Sequence, residues 1–338
     1  VIDLLVAGGG PAGLATALYG ARAGLEVVVV ERRSGTLDKA CGEGLMPHTL
    51  AHLDRLGVTP PGVPLRGIAY VAGEHRIDAG FRTRPGRGVR RTVLHAALRE
   101  AAVAAGVRIV HGTVDTVDQD ATSVRAGGLR ARYLAAADGL HSPVRRTLGL
   151  SQTCSAPRRW GIRRHVHTAP WSDRVEVHWA ADSEAYVTPV ADDCVGIAIL
   201  SAARGGFDAH LAQFPALLDR VGGHVHGSDR AAGPLWQKAR NRTAGRVLLV
   251  GDAAGYIDAL TGEGLGLAFG GAELLVECVV SQRPGDYDRR WRALTRRHRL
   301  LTAGLVRAGS IPLLRSRIVP AAHALPTVFA GVVNQLAA

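Results

Sequence analysis

Val1-Ile-Asp-Leu-Leu-Val-Ala7-Gly8-Gly9-Gly10-Pro11-Ala12-Gly13, continued through Leu14 to Ala23 and Leu25 to Arg33, decides the fold. Leu4 to Ala7 reads as a buried strand. Leu14 to Ala23 carries apolar residues near a 3.6-residue spacing and reads as a helix that Gly24 closes. Leu25 to Val30 supplies a second, parallel strand. Strand, glycine turn, helix and strand in this order make a dinucleotide site. Gly8 permits the tight turn and Gly10 lets the backbone approach a pyrophosphate. Gly13 lets helix and sheet pack closely, with the helix N-terminus facing the phosphates. Glu31 ends the second strand where an adenosine ribose donates hydrogen bonds, and its charge repels the 2'-phosphate of NADP.

A hydrophobic fraction of 47% with 21% charged residues describes a globular chain, and 338 residues suffice for one large α/β domain carrying a smaller one. Lys and Arg number 41 against 29 acids, a formal charge of +12. The arginines are scattered from Arg32 to Arg317, with no zinc-finger spacing and no basic helix placed for groove reading. Nucleic acid is therefore not expected, and the excess charge suits anionic cofactors and substrates. Cys41, Cys154, Cys194 and Cys278 lie too far apart for a metal-ligand pair or a disulfide ladder, so no metal is expected. No signal region precedes the first strand, and Leu265 to Val280 is too short for a membrane span and carries Glu273 and Glu277. A cytoplasmic location follows as the expectation.

Downstream, Lys39-Ala-Cys41-Gly42-Glu43-Gly44-Leu-Met46 is too polar and glycine-rich for a core strand and reads as a shaped loop. Pro47 starts a helix through Leu50, Leu53 and Leu56. Residues 60–84 alternate like antiparallel strands, and Arg91-Thr-Val-Leu94 leads into a helix through Leu98 and Ala102. Leu134-Ala-Ala-Ala-Asp138-Gly139 ends a strand in an acid and a glycine. Trp160 to His167, Val175 to Trp179, Ala185 to Val190 and Cys194 to Leu200 read as four antiparallel strands. They bring Trp160, His165, His167, His178, Trp179 and Tyr186 into one sheet, a wall suited to a large or aromatic substrate. Val247-Leu-Leu-Val-Gly251-Asp252 is a third buried strand ending in Gly-Asp. Thr261-Gly262-Glu263-Gly264 then presents backbone amides at the entrance of a long helix from Leu265. The tail from Ile311 to Leu336 mixes apolar patches, prolines and arginines. It has three readings, as cavity cover, subunit contact or membrane contact, with core packing the first explanation.

Gly8-Gly-Gly-Pro-Ala-Gly13 with Glu31, Arg91, Asp138-Gly139 and Gly251-Asp252, in that order, resemble the FAD-dependent aromatic hydroxylase and geranylgeranyl reductase superfamily. The resemblance implies an α/β fold, a Rossmann-like FAD-binding domain with an interleaved antiparallel-sheet substrate domain. The FAD-binding parts are expected at 1–59, 85–155 and 240–285, the substrate sheet at 60–84 and 156–239, and a helical C-terminal segment at 286–338. It implies FAD with its ADP half near Gly8, Gly10, Pro11, Ala12, Gly13, Glu31 and Arg32. Arg91 looks like the basic residue by the phosphates or ribityl chain, and Asp252 like the acid binding that chain. Cys41, Gly42, Val114, Asp138, Gly251, Gly262, Glu263, Gly264 and Leu265 complete the expected cofactor contacts.

The Cys41 loop and the Thr261-to-Gly264 turn resemble the geranylgeranyl-reductase-like branch. Glu43 departs from it, standing where isoprenoid reductases commonly have another glycine. Two reactions follow from the resemblance, each with NAD(P)H as transient reductant. One is hydroxylation of an aromatic, polyketide or phenolic-lipid-like molecule by oxygen; the other is hydride transfer to a carbon-carbon double bond, with Cys41 positioning the substrate or passing a proton. Glu43 and the aromatic sheet place oxygenation first, with Cys41, His178 and Tyr186 as candidate catalytic groups. A flavin-binding protein without turnover is the third reading. The expected partner is a hydrophobic or aromatic small molecule, with a weak membrane-surface contact possible and the oligomeric state open.

Overall fold

A computed structural model describes residues 2–153 and 158–337, so Cys154 lies outside the described residues. An eight-stranded sheet forms the spine. Its central strand, Ile2–Ala7, is apolar on both faces and pairs in parallel with Val27–Glu31 on one side and Leu129–Ala136 on the other. Arg108–His111 and Val247–Leu249 extend the parallel set outward. Continuous apolar runs suit strands covered from both sides. The Pro11–Arg22 helix covers one face and packs along the Gly264–Val280 helix, with proline at its first turn fixing the entry.

The second sheet has seven strands in the spatial order Arg230–Ala232, Trp160–Val166, Cys194–Ser201, Ser183–Ala191, Arg174–Trp179, Gly67–Ala72, His75–Gly80. All its pairs are antiparallel except Arg174–Trp179 with Gly67–Ala72. Those two strands come from separate excursions of the chain, so no hairpin forces them to run in opposite directions. Strand periodicity divides Arg174–Trp179 into two faces: Val175 and Val177 face the interior cavity, Glu176 and His178 the other side.

Among the described residues three helices end the chain, Tyr287–Gly309, Pro312–Ala324 and Pro326–Leu336. They pack against the second sheet. Phe329 packs at a tilt on Tyr70 of the sheet, ring centroids 4.8 Å apart, and Asn334 bonds Gly80 at the end of its edge strand and Arg82 just beyond it. The tail thus packs over the cavity, and membrane or subunit contact remains open only for its outward face. Beneath it lies a buried charge cluster. Glu184, with no exposed surface, pairs with Arg159 and, at 2.6 Å, with Arg315, whose guanidinium also donates to the carbonyls of Gly309, Ala180 and Ser183. Arg315 thereby pins the Pro312–Ala324 helix to the sheet.

Candidate functional site

The glycine turn is built as close packing demands. A β-carbon on Gly13 would lie 1.9 Å from the Gly8 carbonyl oxygen, so only glycine lets the helix start against the turn. Gly8 itself has φ +104°. A β-carbon on Gly10 would meet nothing within 4 Å, which leaves open space in front of a helix start that no side chain caps. The Glu31 carboxylate accepts the Gly9 amide at 2.7 Å and the Arg33 amide at 2.9 Å, so strand end and turn are held together. Pro11, Ala12, Arg32 and Val114 border the same space.

Lys39, Arg91, Asp138 and Asp252 converge on the middle of this groove. Burial raises the Asp252 carboxyl above its ordinary range, against the pull of Arg91, Lys39 and Arg145. Burial likewise lowers Lys39, with Arg91 adding repulsion. One oxygen of Asp138 accepts the Val144 amide at 3.0 Å; the other is buried without a partner, a vacancy for a donor from a ligand. Arg145 joins the two acidic loops by donating to the carbonyls of Leu140, Asp252 and Ala253 and to Gln237. Its role has no local signal in the sequence, where Arg145 and Arg146 look alike.

Glu43 holds the Cys41 loop. Its φ of +60° is a conformation that favours glycine. Here the carboxylate offsets the strain: it accepts the Arg91 amide at 2.8 Å and meets His165 Nε2 at 2.6 Å. His165 Nδ1 in turn takes a hydrogen bond from Arg163 at 2.9 Å, and Arg163 pairs with Asp38. Glu43 is thus a structural tie between loop and sheet. Cys41 borders the cavity and its sulfur accepts the Glu43 amide at 3.4 Å. Opposite, Gly262 (φ +70°), Gly264 and Leu265 line the cavity at the start of an uncapped helix, while the Glu263 carboxylate bonds His48 at 2.7 Å.

A cavity of about 930 Å³ runs from Gly8 and Glu31 past Lys39, Asp252 and Gly262 to the seven-stranded sheet and the C-terminal helices. Of the six aromatic and histidine residues expected to wall it, Tyr186 alone lines it. Its hydroxyl donates to the Leu260 carbonyl at 2.9 Å, and burial pushes its ionisation well upward. His178 is a correction. It shares the parity of Glu176, bonds that carboxylate at 3.1 Å, and lies outside the cavity lining. His178→Ala is expected to leave turnover within about twofold of the parent, and Tyr186→Phe to cost about 1 kcal/mol of stability without abolishing turnover. Steady-state rates and denaturant unfolding check both.

Asp258, at the entry to the Thr261-to-Gly264 turn, is buried beside Arg159. Burial raises its carboxyl from 3.8 to about 6, outweighing Arg159. The folded state therefore holds its proton more tightly than the unfolded chain. The stability this group contributes is complete below about pH 4 and is lost as pH rises through about 6. Asp258→Asn should remove that slope, about 3 kcal/mol across the interval, in unfolding measured from pH 4 to 7.

Comparison with known proteins meets this geometry. The family profile described as FAD binding domain matches residues 2–281. The chain belongs to the FAD-binding family. This FAD-binding chain is 28% identical over 345 residues to a menaquinone reductase of Mycolicibacterium smegmatis, covering 88% of this chain and 80% of that one. It is 34% identical over 173 residues to a para-nitrophenol 4-monooxygenase of Pseudomonas sp., covering 44% and 42%. The flavin-dependent brominase Bmp2 shares the fold, with a TM-score of 0.76 at 16% identity over 99% of this chain and 93% of that one. The FAD-binding chain is thus of a flavin-dependent oxidoreductase family that includes both reductases and monooxygenases.

The residues present fit FAD. The open space at Gly10, the carboxylate of Glu31, the unpartnered oxygen of Asp138 and the cations Lys39 and Arg91 lie along one groove. That donor set suits a pyrophosphate flanked by two polyols.

Proposed function

We propose that this protein is a reductase that saturates a carbon-carbon double bond in a long aliphatic, isoprenoid-type molecule, with NAD(P)H as the transient reductant. The observation that carries this reading is the character of the cavity beyond the flavin groove. Ile68, Val175, Val177, Leu200, Leu305 and Ile318 line it, whereas Trp160, His165, His167, His178 and Trp179 do not. Tyr70, Tyr186, Tyr256 and Phe329 share the wall, and its aliphatic part binds hydrocarbon by excluding water. The likeness to a menaquinone reductase over most of both chains supports it. Glu43, which favoured oxygenation, has a structural task instead.

When bound, FAD supplies the hydride chemistry. The chain's residues exclude water and place the alkene, and Cys41 holds a proton at its sulfur on the cavity wall for the second carbon. Cys41→Ala should lower turnover more than tenfold at unchanged FAD content, read by single-turnover kinetics and flavin absorbance. Hydroxylation is the second reading, favoured by the partial identity to the nitrophenol monooxygenase. Product mass separates the two. Anaerobic incubation with NAD(P)H and a polyprenyl quinone should add two hydrogens to the prenyl chain, still present after the ring is reoxidised to the quinone. An oxygen atom incorporated from labelled oxygen, with no anaerobic product, would favour the monooxygenase.

A further inference from the structure

We propose that the corner between the last two helices docks on an anionic lipid membrane, lying in the headgroup layer with the mouth of the cavity against it. From Arg289 to Ala338 the sequence contains nine arginines and no aspartate or glutamate; Arg289, Arg290, Arg292 and Arg315 pair with acids, and Arg296, Arg297, Arg307 and Arg317 are exposed. A segment that only faced water would be expected to mix both signs. The helices Pro312–Ala324 and Pro326–Leu336 meet at 103°, and among the described residues no single helix is long and apolar enough to cross a membrane. Together the two helices are long and apolar enough for a broken span, but Phe329 and Val333 pack on the sheet, and this places the corner on a bilayer rather than through it.

Its outward face is apolar where a soluble surface is not. Ile311, Leu313, Leu314, Leu325 and Val328 are between 47% and 71% exposed. Leu313 and Leu314 share the outer side of their helix with exposed Arg317 and Ala321, at three- and four-residue spacing. Large aliphatic side chains beside arginine are the composition of a helix seated at an interface, with leucines in the acyl boundary and guanidiniums at the phosphates. Ala321, Leu325 and Val328 are both exposed and part of the cavity lining, so the mouth opens within this face. A second copy is disfavoured as occupant, because a symmetric contact would set these acid-free arginine segments against each other. Lipid docking gives a hydrocarbon substrate a path that avoids water, but the docking itself stands whichever reaction the flavin performs.

The test is flotation of the FAD-loaded protein with vesicles of phosphatidylcholine alone and of phosphatidylcholine with phosphatidylglycerol. Each exposed arginine near such a surface strengthens binding roughly fivefold. Partition into the anionic vesicles should exceed that into neutral ones at least tenfold and fall in high salt. Leu313→Glu with Leu314→Glu should reduce it tenfold or more while FAD content, melting temperature and turnover on detergent-dispersed substrate stay unchanged. Absence of binding to anionic vesicles, or equal binding by the double variant, would overturn the proposal. So would a wild-type dimer that the double variant splits without any vesicle binding, which would assign the face to a second copy.

Discussion

Gly13→Ala is expected to yield a protein that folds but binds FAD far more weakly. The added β-carbon falls 1.9 Å from the Gly8 carbonyl oxygen and 3.2 Å from the Ala137 side chain. Both sides of the closest contact are backbone, so no rotamer change relieves it. The turn must move, and with it the Gly9 amide that ties the turn to Glu31 and the open approach at Gly10. Overpacking of this size costs about 1–3 kcal/mol, and loading it on the one turn that meets the pyrophosphate should weaken FAD binding roughly a hundredfold. Gly10→Ala is the control. Its methyl meets no protein atom within 4 Å, so the apoprotein should melt as the parent does while FAD binding weakens. Titration of apoprotein with FAD reads both, and full flavin occupancy in Gly13→Ala would contradict the turn's assignment.

Glu184→Ala should be the most destabilising single substitution in the substrate sheet. The carboxylate is fully buried between Arg159 and Arg315, which are themselves nearly inaccessible. Removing it leaves two buried cations without their shared partner, a loss of about 3–5 kcal/mol. Because Arg315 pins the Pro312–Ala324 helix, the variant should also expose the last two helices to protease before the rest of the chain unfolds. Glu184→Leu combined with Arg315→Met should recover part of the loss, since well-packed apolar groups replace buried ion pairs at little cost. Equal instability of the single and double variants would show that packing alone matters there.

The parts of the fold written in contiguous sequence were the legible ones. The opening strand, turn and helix follow from local spacing, and the structure moves the helix start only from Leu14 to Pro11. The strands of the second sheet also follow from alternation, but the side each face meets does not. His178 looked like a cavity residue because parity says which residues share its face, and not that Val177's face is the one covering the cavity. Glu43 was visible as a departure among glycines. Its reason was not, because the partner His165 is 122 positions away. Arg145 and the Arg159, Glu184 and Arg315 cluster were missed on the same ground: their partners are carbonyls and charges that only the folded chain brings near. Leu325 leaves the helical region just before Pro326, which sets the turn between the last two helices.

The central claim is that a flavin groove opens into a hydrocarbon cavity where a double bond is reduced. Its most direct test is to reduce the FAD-loaded protein with dithionite, remove oxygen and mix it rapidly with a polyprenyl quinone. The account predicts that the oxidised flavin absorbance returns without oxygen, in one-to-one proportion to a product whose prenyl chain carries two more hydrogens after its ring is reoxidised to the quinone; hydrogens gained on the ring alone would contradict it. Flavin that stays reduced until oxygen enters, and then yields an oxygen-bearing product, would contradict it.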